Sequence, residues 1–264
     1  MYAVKYATYW KRDMSRIALF ANDEVGLNVC RFLKGTGEDI VKLYLHDPPK
    51  QKLADEIALA SGCVREDVLL ATDSHAPDNI RMLEDANIDF IITVYWAYLL
   101  KPALFTKAKD TLNFHPALLP VNRGWFPHVH SFLDGSPFGV TLHRIDENAD
   151  TGPVWCQKEI FALPFDNAGT IYKRLQSEIL MLFYTHWEKI KNGFITPKPQ
   201  NHARGVYHKK KEIEHLDEID LDAISARDLI KRLKARTFGA RGFAYHMDAS
   251  GRKVYLNLQL SDKP

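Results

Sequence analysis

Asn113 and His115 stand two apart at the end of the apolar run TLNFHPALLPVNRGW (111–125), and Pro116 stops that run. Along a β-strand, residues i and i+2 share a face, so the amide and the imidazole are presented side by side while Phe114 turns into the core. Pro116 disfavours helical geometry at His115 and cannot extend a hydrogen-bond ladder, which leaves the ring at the strand's exit. A second stretch, TLHRIDENADTG (141–152), puts Asp146, Glu147 and Asp150 in a polar loop after another apolar strand. If the two strands are neighbours, a carboxylate from that loop can orient His115.

Amide, imidazole and carboxylate suit acyl transfer to an amine. The acyl group arrives activated and the amine is the nucleophile, so no serine or cysteine is needed. In that reading Asn113 binds the developing oxyanion, a contact worth roughly 3–4 kcal/mol in a dry site. His115 polarises the carbonyl or relays a proton, and Asp150 sets its tautomer, raises its pKa and accepts protons through water. The plainer reading is a strand-end turn with a satisfied histidine followed by an ordinary polar turn, and spacing alone leaves both open. His128 and His130 lie close by, but i and i+2 on a helix point two rings apart, so the pattern predicts no metal. Cys156 reads as a core thiol.

The elements that must position these groups alternate. RIALFA (16–21), IVKLYLHD (40–47), VLLAT (68–72) and DFIITVYWAYLL (89–100) read as strands. Between them VGLNVCRFLKGTG, LADEIALASG and APDNIRMLEDANI have helical spacing, the last opened by Pro77. Such alternation predicts an α/β fold, a Rossmann-like, mostly parallel sheet flanked by helices, with chemistry beyond the carboxyl ends of the strands. FPHVHSFLDG reads as a helix, FGVTLHRI and VWCQKEIFAL as strands, and GTIYKRLQSEILMLFYTHWEKIKNG as one long amphipathic helix stopped by Gly193. The texture changes after Pro197: TPKPQNHARG is linker-like, AISARDLIKRLKAR a short helix, and GFAYHMDASGRKVYLNLQL a β-hairpin around DASG. The expected division is an N-terminal extension over 1–14, a catalytic domain over 15–198 and a small α+β domain over 199–264. The tyrosines of the extension fit an extra strand or an oligomer contact equally well.

Of the 264 residues, 35 are basic and 33 acidic, a net charge of +2, so no overall field recruits nucleic acid or an anionic membrane. Three widely spaced cysteines form no CxxC pair and point to free thiols in a reducing cytoplasm. The start has no signal-peptide pattern and no stretch has the length of a membrane span. The charge runs KRDMSR and HKKKE read as solvated faces, and ANDEVG (21–26) lacks the GxGxxG of a dinucleotide enzyme.

NFHPALLPVNRG followed by TLHRIDENADTG resembles the signature of formyltransferases that use N10-formyltetrahydrofolate, over residues 15 to about 195. That family includes enzymes acting on glycinamide ribonucleotide, on methionyl-tRNA and on nucleotide-linked aminosugars. The resemblance implies Asn113, His115 and Asp150 as the catalytic trio. It also implies a folate cleft lined by Tyr95, Trp96, Ala97, Tyr98 and Leu99 together with Arg144, Asp146 and Glu147, with no metal. Ala117 stands where many members have serine, and ANDEVG replaces the GTPxFA-like turn of the transfer-RNA enzymes.

RGWFPHVHSFLDGSPFGVTLHRIDE is similar to the branch that formylates nucleotide-linked dideoxysugars for surface polysaccharides such as O-antigen. On that basis Arg123, Gly124 and Trp125 are candidate substrate contacts. Arg123 suits a pyrophosphate, although an ion pair with a nearby acid explains it equally well. Tyr207 and Phe238 are candidates to stack on the base, with core packing as the alternative for each. The expected partners are a folate, a nucleotide-linked aminosugar and a second copy of the chain. The rivals are methionyl-tRNA formylation, formyltetrahydrofolate hydrolysis, and folate or nucleotide-sugar binding without turnover. About 65 residues follow the catalytic region, too few for the barrel-like appendage and linker of the transfer-RNA enzymes.

Overall fold

The computed structural model describes residues 14–262, so the expected extension, apart from Met14, lies outside the described residues. The chain enters at strand β1 (Arg16–Ala21) and turns at once into helix α1 (Asp23–Gly35). The alternation continues through β2 (Asp39–Leu45), α2 (Ala54–Ser61), β3 (Val68–Leu70), α3 (Pro77–Asp85), β4 (Ile88–Val94), a one-turn α4 (Pro102–Phe105) and β5 (Ala108–His115). The seven-stranded sheet has the order β3-β2-β1-β4-β5-β7-β8, where β7 is Phe138–His143 and β8 is Val154–Ile160. The first five strands of that order pair in parallel, but β5 with β7 and β7 with β8 pair antiparallel. The short loop from β7 to β8 carries no crossover helix, and two successive strands joined that way can only run in opposite directions.

Burial on both faces explains why β1 is apolar almost throughout. Ile17, Leu19 and Ala21 pack with α1 and the long helix α6 (Ala168–Lys191), while Ala18 and Phe20 pack with Tyr44, Leu83 and Leu104 on the opposite face. Helix α6 begins at a capping box between Asn167 and Thr170 and buries Ile171, Leu175, Ile179, Phe183, Trp187 and Ile190, a stripe at spacings of three and four. In β5, Leu112 and Phe114 join the α1–α6 core, so Asn113 and His115 must face the other way.

Beyond α6 the expected linker is a docked strap. Val154 and Lys198 exchange backbone hydrogen bonds, and the Gln200 side-chain amide donates to the carbonyls of Asp150 (3.0 Å) and Gly152 (2.7 Å). A two-residue strand β9 (Tyr207–His208) then pairs in parallel with β6 (Arg123–Gly124) from the loop after β5. The small C-terminal part has helix α7 (Ala226–Ala235), the strand pair β10 (Thr237–Phe238) and β11 (Arg241–Gly242), and the hairpin β12 (Tyr245–Met247) with β13 (Lys253–Tyr255). Helix α7 rests on α5 (Pro127–Asp134). No described helix is long and apolar enough to cross a membrane.

Candidate active site

The carboxyl ends of β4 and β5 open into a cavity of about 410 Å³. Its walls come from the 95–100 loop, the segment 124–128, the 145–150 loop, Tyr172 of α6 and Tyr207 of β9. The antiparallel register sets His115 opposite Thr141 and Asn113 opposite His143, so the loop after β7 starts beside Asn113 and folds back to set Asp150 against both side chains.

Asp150 is the hub. Its Oδ1 lies 3.4 Å from Asn113 Nδ2, 3.5 Å from His115 Nδ1 and 3.4 Å from His143 Nε2, and its Oδ2 accepts the Gly124 N–H at 2.9 Å. Burial raises the Asp150 pKa, but the charge of His115 or His143 whenever either ring is protonated, together with the Gly124 N–H, outweighs it and holds the carboxyl well below the usual aspartate range. Asp150 adopts a left-handed φ of 56°, a conformation that aspartate and asparagine tolerate better than most residues. Gly124 supplies its N–H from φ +86°, and a Cβ there would meet the His208 carbonyl oxygen at 2.4 Å. Both facts require glycine.

Asn113 is locked at both ends. Thr93 Oγ1 donates to its Oδ1 at 2.6 Å, and its Nδ2 lies 2.9 Å from His143 Nε2. His143 Nδ1 donates to the Arg144 carbonyl at 2.6 Å, so Nε2 carries the lone pair and accepts from the amide. One amide N–H is thereby committed, and the other faces Asp150 at a distance longer than a good hydrogen bond.

His115 Nε2 is 3.2 Å from the Asn122 carbonyl, which can only accept, so the neutral ring carries its proton there and turns a bare Nδ1 toward Asp150. The tautomer is thus set by Asn122 rather than by the carboxylate alone. Burial lowers the His115 pKa, with Asp150 opposing and His143 reinforcing the shift. Asp150 thus acts in the direction expected from sequence, but burial outweighs it.

The 95–100 loop is pinned by two neutral histidines. His46 Nε2 accepts the Ala97 N–H at 3.1 Å and its ring stacks on Trp96, 4.6 Å between centroids. His75 Nε2 accepts the Lys101 N–H at 3.0 Å. Burial drives the His46 pKa down to about 4, with Lys50 adding to the effect. Tyr95, Trp96, Ala97, Tyr98 and Leu99 all line the cavity, as do Asp146, Gly124, Trp125 and Tyr207.

Four sequence candidates do not line it. Arg144 pairs with Asp110 and lies over the Trp155 ring at 4.9 Å, because the neighbouring strand β5 offers it a carboxylate first. Glu147 points to solvent. Arg123 Nε is buried without a hydrogen-bond partner, and a Cβ at Gly205 would come within 3.3 Å of it, so the strap covers this side chain. Phe238 instead lines an adjoining apolar chamber of about 350 Å³ that shares Phe126, His128 and Tyr172 with the first.

His143, Thr93 and Asn122 escaped the sequence reading. For His143 a signal existed, since it shares a strand face with Thr141 and leads directly into the acidic loop. As the helix geometry requires, His128 and His130 diverge: His128 meets Tyr172 at 4.9 Å, and His130 stacks on His208 at 3.5 Å. His130, His208 and Glu212 nonetheless gather three donor atoms within 4.8 Å of one another.

Residues 34–183 match the Formyl transferase family, more than half of the chain. This chain belongs to the formyl transferase family. Residues 212–262 of this formyl transferase match the N-formyltransferase dimerization C-terminal domain. A dTDP-4-amino-4,6-dideoxyglucose formyltransferase of Mycobacterium tuberculosis is 36% identical over 165 residues, which cover 62% of this chain and 70% of that protein. A crystal structure of a 4-N formyltransferase from Francisella tularensis superposes with a TM-score of 0.81 at 27% identity, covering 94% of this chain and 99% of the other. The formyltransferase PseJ from Anoxybacillus kamchatkensis, solved in complex with UDP-4,6-dideoxy-4-formamido-L-AltNAc and tetrahydrofolate, superposes with a TM-score of 0.57 at 27% identity, covering 83% and 98%.

Proposed function

We propose that this formyl transferase moves the formyl group of N10-formyltetrahydrofolate to the primary amine of a dTDP-linked aminodeoxysugar, as a homodimer in the cytoplasm. The observation that carries the reading is the meeting of Asn113, His115 and Asp150 at the floor of one open cavity. The relatives' named substrates and the dimerization match at 212–262 favour a sugar acceptor over transfer RNA.

The amine lone pair attacks the formyl carbon, giving a tetrahedral oxyanion. The uncommitted N–H of Asn113 donates to that oxygen, while Thr93 and His143 keep the amide from rotating. As the new C–N bond forms, the amine nitrogen becomes acidic and gives up a proton. The bare Nδ1 of His115 receives it, and Asp150 at 3.5 Å stabilises the imidazolium. The bond to folate N10 then breaks and N10 takes a proton, so one proton leaves the amine and one reaches the folate. The backbone of the pinned loop at Tyr95–Leu99 reads the pterin ring, and Trp125 and Tyr207 border the sugar nucleotide.

The test is an acceptor screen with the folate donor and TDP-, UDP-, GDP- and CMP-linked aminosugars, alongside formate release without acceptor. Formamide product on a TDP-aminosugar is expected. Formate release that no aminosugar diverts into product would instead identify a hydrolase.

A further inference from the structure

The loop that completes the site is held from behind by the C-terminal part. Arg123 N–H donates to the Val206 carbonyl at 2.9 Å and Trp125 N–H to the His208 carbonyl at 3.0 Å. In an extended segment successive N–H groups point to opposite sides, so the pairing turns the intervening Gly124 N–H toward Asp150. One residue upstream, Asn122 has its carbonyl on His115 and its side chain on His208.

The Asn122 amide is fixed without ambiguity. Its Nδ2 faces the Pro127 carbonyl at 3.4 Å, which can only accept, with Ser131 Oγ at 2.9 Å and Ser136 Oγ at 2.7 Å beside it, and this assigns Oδ1 to the His208 side, where Nε2 donates at 3.0 Å. His208 Nδ1 sits 3.0 Å from Glu212 Oε2, and Glu212 Oε1 accepts the Lys209 N–H at 2.9 Å. Glu212 is the first residue of the span that matches the dimerization domain. The His130 ring lies face to face with His208, their planes 7° apart. Stacked rings send their in-plane lone pairs along parallel lines, and both His208 nitrogens already have partners, so this cluster is arranged as a brace and not as a metal cage.

We propose that His208 is a positioning residue for formyl transfer: through Asn122 it fixes the tautomer and attitude of the His115 ring, so seating of the dimerization segment on the catalytic domain sets turnover. The proposal rests on the functional reading above. Neither His208 nor Asn122 lines the cavity, so the effect must pass through His115 and not through substrate contact. An unbraced Asn122 leaves a buried acceptor unpaired and frees the carbonyl that holds the His115 proton on Nε2.

The experiment compares full-length wild type, His208→Ala and His208→Gln, each confirmed as folded and in the wild-type oligomeric state. Glutamine puts an amide N–H where the imidazole Nε2 stood. His208→Ala is expected to lower kcat by roughly tenfold with both KM values little changed, and His208→Gln to restore most of it. Nitrogen NMR of labelled histidine reads the His115 ring directly: the Nε2–H tautomer persists in wild type and His208→Gln and is redistributed in His208→Ala. Unchanged kcat and unchanged His115 signals in His208→Ala overturn the proposal, as does an equal kcat loss in both variants, which is what simple packing loss gives. A tautomer change in a chain whose wild type transfers no formyl group sinks the functional reading and leaves the brace standing.

Discussion

Replacing Asp150 with asparagine probes the proton-handling half of the site while disturbing the backbone least. Asparagine tolerates the left-handed φ of 56°, and its carbonyl oxygen still accepts the Gly124 N–H. What disappears is a full negative charge 3.5 Å from His115 Nδ1. At that separation and an effective dielectric constant near 20, Coulomb's law gives the imidazolium about 5 kcal/mol of support, an upper value. Reorganisation around the variant recovers part of it, so a net loss of roughly 3 kcal/mol, or a factor of about 100 in kcat, is expected. The assay is initial-rate formyl transfer at saturating donor and acceptor, with circular dichroism and a melting curve to establish folding. Asp150 also raises the pKa of His115 against burial, so the acid limb of kcat moves to lower pH in the variant. A folded Asp150→Asn enzyme whose kcat lies within threefold of wild type refutes the assignment.

Loop pinning makes a separate prediction: His46→Phe keeps an aromatic ring against Trp96 but removes the acceptor for Ala97 N–H, and folate affinity measured by fluorescence is expected to drop roughly fivefold with kcat nearly unchanged. Equal affinities would detach this loop from folate binding. Acid should also destabilise the fold, because burial holds His46 at about 4, His128 at about 3 and His130 at about 4, against 6.5 when exposed. The unfolded chain binds more protons below 6.5, so stability is complete above that pH and declines toward pH 4. Each of these histidines costs up to roughly 2 kcal/mol at pH 5. Urea midpoints at pH 7.5 and pH 5 check this, and matching midpoints would contradict it.

The alternation of strands and helices was legible because each element carries its own period, and the side-by-side exit of Asn113 and His115 follows from the pleat alone. The acidic loop met them because β7 lies beside β5, a neighbour relation that spacing allowed but did not compel. What the sequence hid is long-range. Two-residue strands such as β6 and β9 have no periodicity to detect, so the strap over the catalytic loop read as a linker. The roles of His46, His75 and His143 depend on which ring nitrogen carries the proton, which only their neighbours decide. Arg144 looked like a ligand contact until Asp110, thirty-four positions away in the chain, proved to be its partner.

The most direct test of the account follows the formyl carbon itself. Wild type and His115→Asn are each mixed with isotopically labelled N10-formyltetrahydrofolate and the dTDP-linked aminodeoxysugar selected by the acceptor screen for a single turnover, and the label is located by mass spectrometry. In wild type the label is expected on the sugar nitrogen, and in the variant it stays on the folate. Label appearing as formate in wild type, or on the sugar at equal rates in both proteins, would contradict the account.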